Sequence, residues 1–369
     1  MKRQRNAGAV FPDYHPGYRK HRETTGPSML ASKLIPWSAA ALTVLLGASP
    51  ACAQAPAEFY KGKTIELDIG LSVGGGYDAY ARMLARTMGK YIPGNPAIVP
   101  KNMEGAGSMR LANYLYNAAP RDGTTFGTIN RGTPFEPLLG NRGAQFDATK
   151  FGWIGSTNNE VSVCVAWHTS GIASFEDARQ RELVVGATAP SADSYQFPKI
   201  INAALGTKFK IVTGYPGGND IDLAMERGEV AGRCSWSWTS VKGLHQSWLD
   251  RKEINILFQM GLSKHRDLPD IPLIVDLART DEERAILRLI FARQVMAWPF
   301  LAPPGTPGER VEVLRKAFLQ TMQDEDFLAE AGKAGLEITP VAGADIQKLV
   351  QQVYATPAEI ARKAAELLQ

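Results

Sequence analysis

The segment Thr64–Leu71 (TIELDIGL) runs into Val73, Gly74, Gly75 and Gly76, and a helical pattern begins at once. Tyr80, Met83, Leu84, Thr87, Met88 and Tyr91 recur at the spacing of one helix face. A strand that ends in glycines and feeds a helix leaves backbone N–H groups unpaired beside the positive end of the helix dipole. Glycines let a ligand approach that backbone, so such a turn suits a carboxylate or a phosphate. The same device recurs. Ala97–Pro100 leads through Gly105, Ala106, Gly107 and Ser108 into the helical Met109–Ala118, and a third strand, Thr125–Ile129, leads into Asn130-Arg131-Gly132-Thr133. Short strands alternating with helices predict an α/β fold with parallel pairing. In open sheets of that kind ligands bind beyond the carboxyl ends of the strands, so these turns converge on one place. Arg131 there is a candidate fork for a carboxylate, with a plain surface role as its alternative.

Further along, Val161–Ala166, Leu183–Ala187, Lys210–Val212, Glu229–Ser235 and Ile254–Met260 read as strands, Asp281–Phe291 as a helix and Val295–Ala302 as a strand. Two C-terminal helices follow, about Glu309 to Ala334 and Asp345 to Leu368, the second interrupted at Pro357. A chain of 369 residues is long enough for roughly two domains. The expected division is lobe 1 from residues 56–165 plus 261–369 and lobe 2 from 166–260. The second lobe offers its own strand-end loops to the cleft: Thr188 to Tyr195, Tyr215-Pro216-Gly217-Gly218, and Ser235 to Trp238.

The first 55 residues read as an address. From Met29, a possible true start, come Lys33, a mostly apolar run from Leu34 to Ala48, and Ala51-Cys52-Ala53-Gln54-Ala55, which is the order of a signal peptide cleaved near Ala55. The apolar run is shorter than the ~20 residues a membrane span needs. Ser49-Pro50-Ala51 provides no Leu-type residue for lipidation of Cys52. The expectation is export to the periplasm. Residues 1–55 hold 7 Lys+Arg and 2 Asp+Glu, which leaves 34 basic against 35 acidic residues in the body, so nothing there calls for nucleic acid. The exported part keeps Cys164 and Cys234, which in an oxidising compartment either pair or stay as two buried thiols.

Catalytic signals are poor. The body has His168, His245 and His265 with no metal-ligand spacing, and no G-x-S-x-G elbow. Gly74-x-Gly76-x-x-Ala79 fits a dinucleotide fingerprint, but the second strand reaches Pro100-Lys101-Asn102 with no acid before Glu104 to hold a ribose. No cofactor and no metal are expected, and binding without turnover is the reading.

Five stretches in order carry a family resemblance: LSVGGGYDAYARMLA (71–85), NMEGAGSMRLANYLY (102–116), AAPRDGTTFGT (118–128), YPGG (215–218) and LAPPGTPGERVEVL (301–314). Together they resemble the extracytoplasmic solute receptors of tripartite tricarboxylate transporters, the Bug family. The resemblance implies a two-lobed periplasmic binding protein, type II-like, that encloses a carboxylated small molecule in the cleft between its lobes. It implies a ligand-binding role for Val73, Gly74, Gly75, Gly76 and Asp78 in the first loop, and for Asn102, Gly105, Ala106 and Gly107 in the second. In the other lobe it points to Thr188, Ser191, Asp193, Ser194, Tyr215 and Gly217. Ser72-Val73 stands where the family usually has prolines, Tyr77 where it has a small hydroxyl residue, and Ala189 to Tyr195 departs from its usual Gly-Ser-x-Ser-His-like stretch. Tyr77, Tyr195 and Trp236 would suit a bulky or aromatic carboxylate.

The expected function is therefore a monomeric receptor that hands a carboxylate to membrane permease subunits. An exported ligand sensor of the same fold, acting with a signalling partner, is the alternative, ahead of an NAD-dependent or hydrolytic enzyme.

Overall fold

The computed structural model describes residues 56–368 except Ser72, Ala189, Ser191, Pro216 and Gly217. The leader expected over residues 1–55, and the candidate positions Ser191 and Gly217, lie outside the described residues.

A short helix α1 (Pro56–Tyr60) opens the chain, followed by β1 (Thr64–Ile69), α2 (Gly76–Met88), β2 (Ala97–Asn102), α3 (Met109–Asn117), β3 (Thr125–Thr128) and β4 (Gly152–Ser156). Then come β5 (Ser162–Trp167), α4 (Phe175–Gln180), β6 (Leu183–Gly186), α5 (Asp193–Leu205), β7 (Phe209–Val212), α6 (Gly218–Glu226), β8 (Gly232–Ser237), α7 (Trp238–Asp250) and β9 (Ile254–Met260). The return holds α8 (Asp281–Phe291), β10 (Pro299–Ala302), α9 (Gly308–Thr321), α10 (Glu325–Lys333), β11 (Val341–Ala342), α11 (Gly343–Tyr354) and α12 (Ala358–Leu368).

These strands form two sheets, in the orders β11-β4-β10-β3-β1-β2 and β7-β6-β8-β5-β9. Both are mixed rather than wholly parallel. β1 pairs in parallel with β2 and β3, but β10 runs antiparallel to β3 and β4. In the second sheet β6 is parallel to β7 and β8, while β5 is antiparallel to β8 and β9. Antiparallel neighbours need no helical crossover, unlike the parallel pairs of β1, β2 and β3. Sheet membership puts the passage between lobes at residues 157–161, ahead of the expected crossing near residue 165.

The return departs from expectation in three ways. The expected strand Val295–Ala302 begins only at Pro299, because Ala292–Met296 coils into a 3-10 turn that buries Arg293 and Gln294. The expected helix from Glu309 breaks after Thr321, where the Asp324 carboxylate accepts the Phe327 N–H and starts α10. Finally, α12 packs on α5 as well as on α8, so the returning segment covers the second lobe too.

Apolar residues form three cores. One runs from α3 through Cys164 and Cys234 to α5, α8 and α12. A second lies under α2 and α9, and a third under α6 and α7. Cys164 and Cys234, both fully buried on the neighbouring strands β5 and β8, are joined by a disulfide.

Candidate functional site

The ends of β1, β2 and β3 meet through side chains of their own loops. Ser108 donates to the Gly70 carbonyl at 3.1 Å and accepts the Asn130 N–H at 2.9 Å, which ties three strand ends together. A Cβ on Gly70 would stand 2.7 Å from Ser108 Oγ, so that position has no room for a side chain. From Gly105 to Ser108 four successive residues hold positive φ, including the non-glycine Ala106 and Ser108. Strained backbone of this kind persists only where surrounding bonds over-determine it, and it concentrates at functional loops.

In the first loop, Val73, Gly74, Gly75 and Gly76 are exposed. Asp78 is buried beneath them, where it accepts the Gly74 N–H at 2.9 Å, Arg82 Nε at 2.8 Å and Asn102 Nδ2 at 3.0 Å. Burial alone would raise its pKa, but these donors outweigh burial and hold its carboxyl below the ordinary range. Asp78 and Asn102 are thus placed together, and they fold the loop from inside. The Tyr77 hydroxyl accepts the Arg131 N–H at 2.9 Å and donates to the Ala297 carbonyl at 3.1 Å, with its ring edge-on to Trp298. Burial pushes this phenol up to about 12, so it stays neutral.

The lobes meet at a cluster of charges. Asp193, in the first turn of α5, takes Arg131 Nε at 2.8 Å and Nη2 at 2.7 Å on one oxygen. Its other oxygen lies 3.2 Å from Arg293 Nη1, which also reaches Gln196 Oε1 at 3.1 Å. Burial raises the Asp193 pKa, yet the two guanidinium groups prevail and keep it ionised. Beside this cluster lies a cavity of about 460 Å³, with Gly107, Asn130 and Thr133 of the first lobe, Ala192 of the second, and Arg293 in its wall. Glu136 and Asn141 line it too, joined by a 2.7 Å bond from Asn141 Nδ2 to Glu136 Oε2. A groove of about 530 Å³ between α5, α8 and α12 lies on residues remote in the fold from these loops.

The expected residues therefore divide. Ala106, Gly107, Arg131 and Asp193 come together at the lobe boundary. Ser194 accepts the Thr188 N–H at 3.1 Å and closes its own loop. Tyr215 packs at the edge of the third core. Trp236 does not face the cleft: it is buried among Val163, Trp238 and Trp248, with the Arg233 guanidinium 4.4 Å over its ring and the His245 ring 4.9 Å away.

Two residues escaped the sequence reading. Arg293 sits between the expected α8 and the strand after it, and the polar pair Arg293-Gln294 inside the otherwise apolar run from Leu289 to Leu301 was its signal. Glu160 lies in the passage between sheets, buried, and accepts Ser237 Oγ at 2.8 Å. Burial lifts its carboxyl to about 7. Among the described residues no group of three or more His, Cys, Asp and Glu is placed to hold a metal ion, and no helix is long and apolar enough to cross a membrane.

No family model matches the chain. It is 24% identical over 319 residues to the UPF0065 protein in gbd 5'region of Cupriavidus necator, which covers 81% of this chain and 86% of that relative. Among solved structures, a TctC solute binding protein from Polaromonas matches with a TM-score of 0.63 at 17% identity, over 82% of this chain and 99% of that one. R. palustris Rpa4515, solved with adipate, matches with a TM-score of 0.59 at 20% identity, over 83% of this chain and 98% of that one. The motif resemblance holds in fold: two mixed α/β sheets in the architecture of periplasmic binding proteins.

Proposed function

We propose that this chain is a periplasmic solute receptor of the tripartite tricarboxylate transporter (Bug) family, which captures a small carboxylate between its lobes and delivers it to membrane permease subunits. The observation that carries the reading is the meeting of Arg131 and Arg293 from one side of the chain with the α5 N-terminus from the other, beside a polar cavity lined by the second glycine-rich loop. Two guanidinium groups with one carboxylate between them leave a net positive charge in this cluster, which suits an anion. Residues 1–55 serve as the export address, and the mature chain acts as a monomer.

The test is a thermal-shift screen of mono-, di- and tricarboxylates, amino acids and aromatic acids on the mature protein. A ligand at 100 times its Kd adds about 2.7 kcal/mol of stability, enough to move the melting temperature by degrees. Failure of every carboxylate to raise it would remove the receptor reading.

A further inference from the structure

We propose that Glu160 is a proton switch on lobe closure: while it holds its proton the lobes rest against each other, and loss of the proton favours their parting. The inference rests on the receptor reading for what closure does, and adds to it a regulation by pH.

Glu160 lies in the passage between the two sheets, and its backbone is fixed there. Its N–H donates to the Gln294 carbonyl at 2.9 Å, and the next carbonyl, that of Val161, accepts the Trp238 N–H at 3.0 Å. The side chain is buried between elements of both lobes. From the second lobe Ser237, the N-cap of α7, donates its hydroxyl to Glu160 Oε2 at 2.8 Å. From the first lobe Glu337 faces it, and accepts the Thr239 hydroxyl in the first turn of α7. Two carboxylates, one from the passage and one from the first lobe, thus meet at the start of one helix of the second. The segment after Glu337 is bound to the passage itself: the Asn159 N–H donates to the Thr339 carbonyl at 3.0 Å, and the Thr339 N–H to that of Thr157 at 3.1 Å. Parting the lobes therefore draws α7 away from this segment and lets water reach Glu160.

The titratable and charged groups around Glu160 are Arg131 after β3, Glu337 before β11 and Tyr80 on α2. Farther out, Asp193 holds Arg131, and His265 after β9 faces Glu337. Burial keeps Tyr80 a neutral phenol and pushes the His265 imidazole down. Burial of Glu160 outweighs the Arg131 charge and the Ser237 hydrogen bond, and lifts its carboxyl to about 7. A glutamate in water ionises near pH 4.3, at about the model-peptide value, so the parted form holds this proton more weakly than the closed one. Closure then takes up a proton, and the closure constant falls by up to about tenfold from pH 6 to pH 8.

The test follows the lobes with no ligand present. Leu244→Cys on α7 and Leu328→Cys on α10 place one exposed thiol on each lobe of the mature protein, whose own two cysteines are held in their disulfide. Spin labels there report the distance between lobes by double electron–electron resonance, from about pH 5.5 to about pH 8.5. The long-distance population should grow as pH rises through about 7. Glu160→Gln, neutral at every pH, should keep the low-pH distribution throughout. Glu337→Gln removes the like charge beside Glu160 but keeps an acceptor for Thr239. It should shrink the change, which keeps the test decisive if Glu160→Gln does not fold. Asp68→Asn should leave the change intact, because Asp68 titrates in the same range but lies within the first sheet. A distance that does not move with pH overturns the switch, as does a change that persists in full in either Glu variant or vanishes in Asp68→Asn. None of these outcomes touches the receptor reading, which stands or falls on the carboxylate screen.

Discussion

Asp193 Oδ2 lies 2.7 Å from Arg131 Nη2, and the pair joins the first turn of α5 in one lobe to the loop after β3 in the other. The protein thus carries its own carboxylate in the position where two guanidinium groups converge. Such a contact bridges the two lobes.

Asp193→Asn removes the charge from this latch and leaves two buried cations facing each other. Breaking a buried pair from one side costs about 3 kcal/mol, so the melting temperature should drop by several degrees. The ligand-free variant should also be more open, with a larger radius of gyration by small-angle scattering than the wild type. Equal radii would show that Asp193 does not hold the lobes closed.

Gly76 begins α2 against Trp298, where an added Cβ would stand 2.6 Å from the ring carbon Cη2. Gly76→Val should therefore push Trp298 away from Tyr77 and Tyr80, which it contacts ring to ring. Overpacking of this kind costs on the order of 1–3 kcal/mol. Loss of ligand binding with a shifted tryptophan emission is the expected result. An unshifted spectrum with full affinity would contradict this role for the loop.

Stability should fall as pH rises from about 5 to 8. Burial raises the Glu160 carboxyl from 4.5 to about 7, and burial followed by the charge of Glu66 raises Asp68 from 3.8 to about 7. In both cases the folded protein holds the proton more tightly than the unfolded chain. Their stabilising contribution is therefore complete below the unfolded pKa and is lost as pH passes through about 7. Asp68 has no hydrogen-bond partner on either oxygen, so Asp68→Asn should raise stability at pH 8. Glu160→Gln and Asp68→Asn should each flatten the slope of melting temperature against pH, and parallel slopes would reject the assignment.

The Cys164–Cys234 bridge spans 70 residues of sequence. Closure of a loop of that length in the unfolded chain corresponds to about 4 kcal/mol in the chain-entropy model. Unfolded, unreduced mature protein should show no reactive thiol, and reduction should release two per chain and lower the denaturation midpoint. Because the bridge lies in the core between β5 and β8, away from the Arg293 cavity, ligand affinity of the folded, reduced protein should change little.

The sequence by itself determined the alternation of strands and helices, the glycine-rich turns at strand ends and the placing of Arg131 beside them. These are local facts: periodicity selects the element, and a turn's conformation selects its residues. Pro357 separates α11 from α12 as written, and the turn expected at Gly105 to Ser108 is there, although Ala106 and Ser108 share its positive φ. Pairing across the chain was not local. The antiparallel entry of β10 between β3 and β4 follows from which lobe a strand comes from, and no window of residues contains that. The same reason separates Trp236 from Arg293. Trp236 alternates along a strand end and reads as half-exposed, until α7 brings Trp248 over it and closes it from the cleft. Arg293 drew no role from the sequence, and only the 3-10 turn carries it under α5 to Asp193, 100 residues away in sequence. A buried charge is tolerable only where a partner waits, and only the tertiary structure supplies the partner.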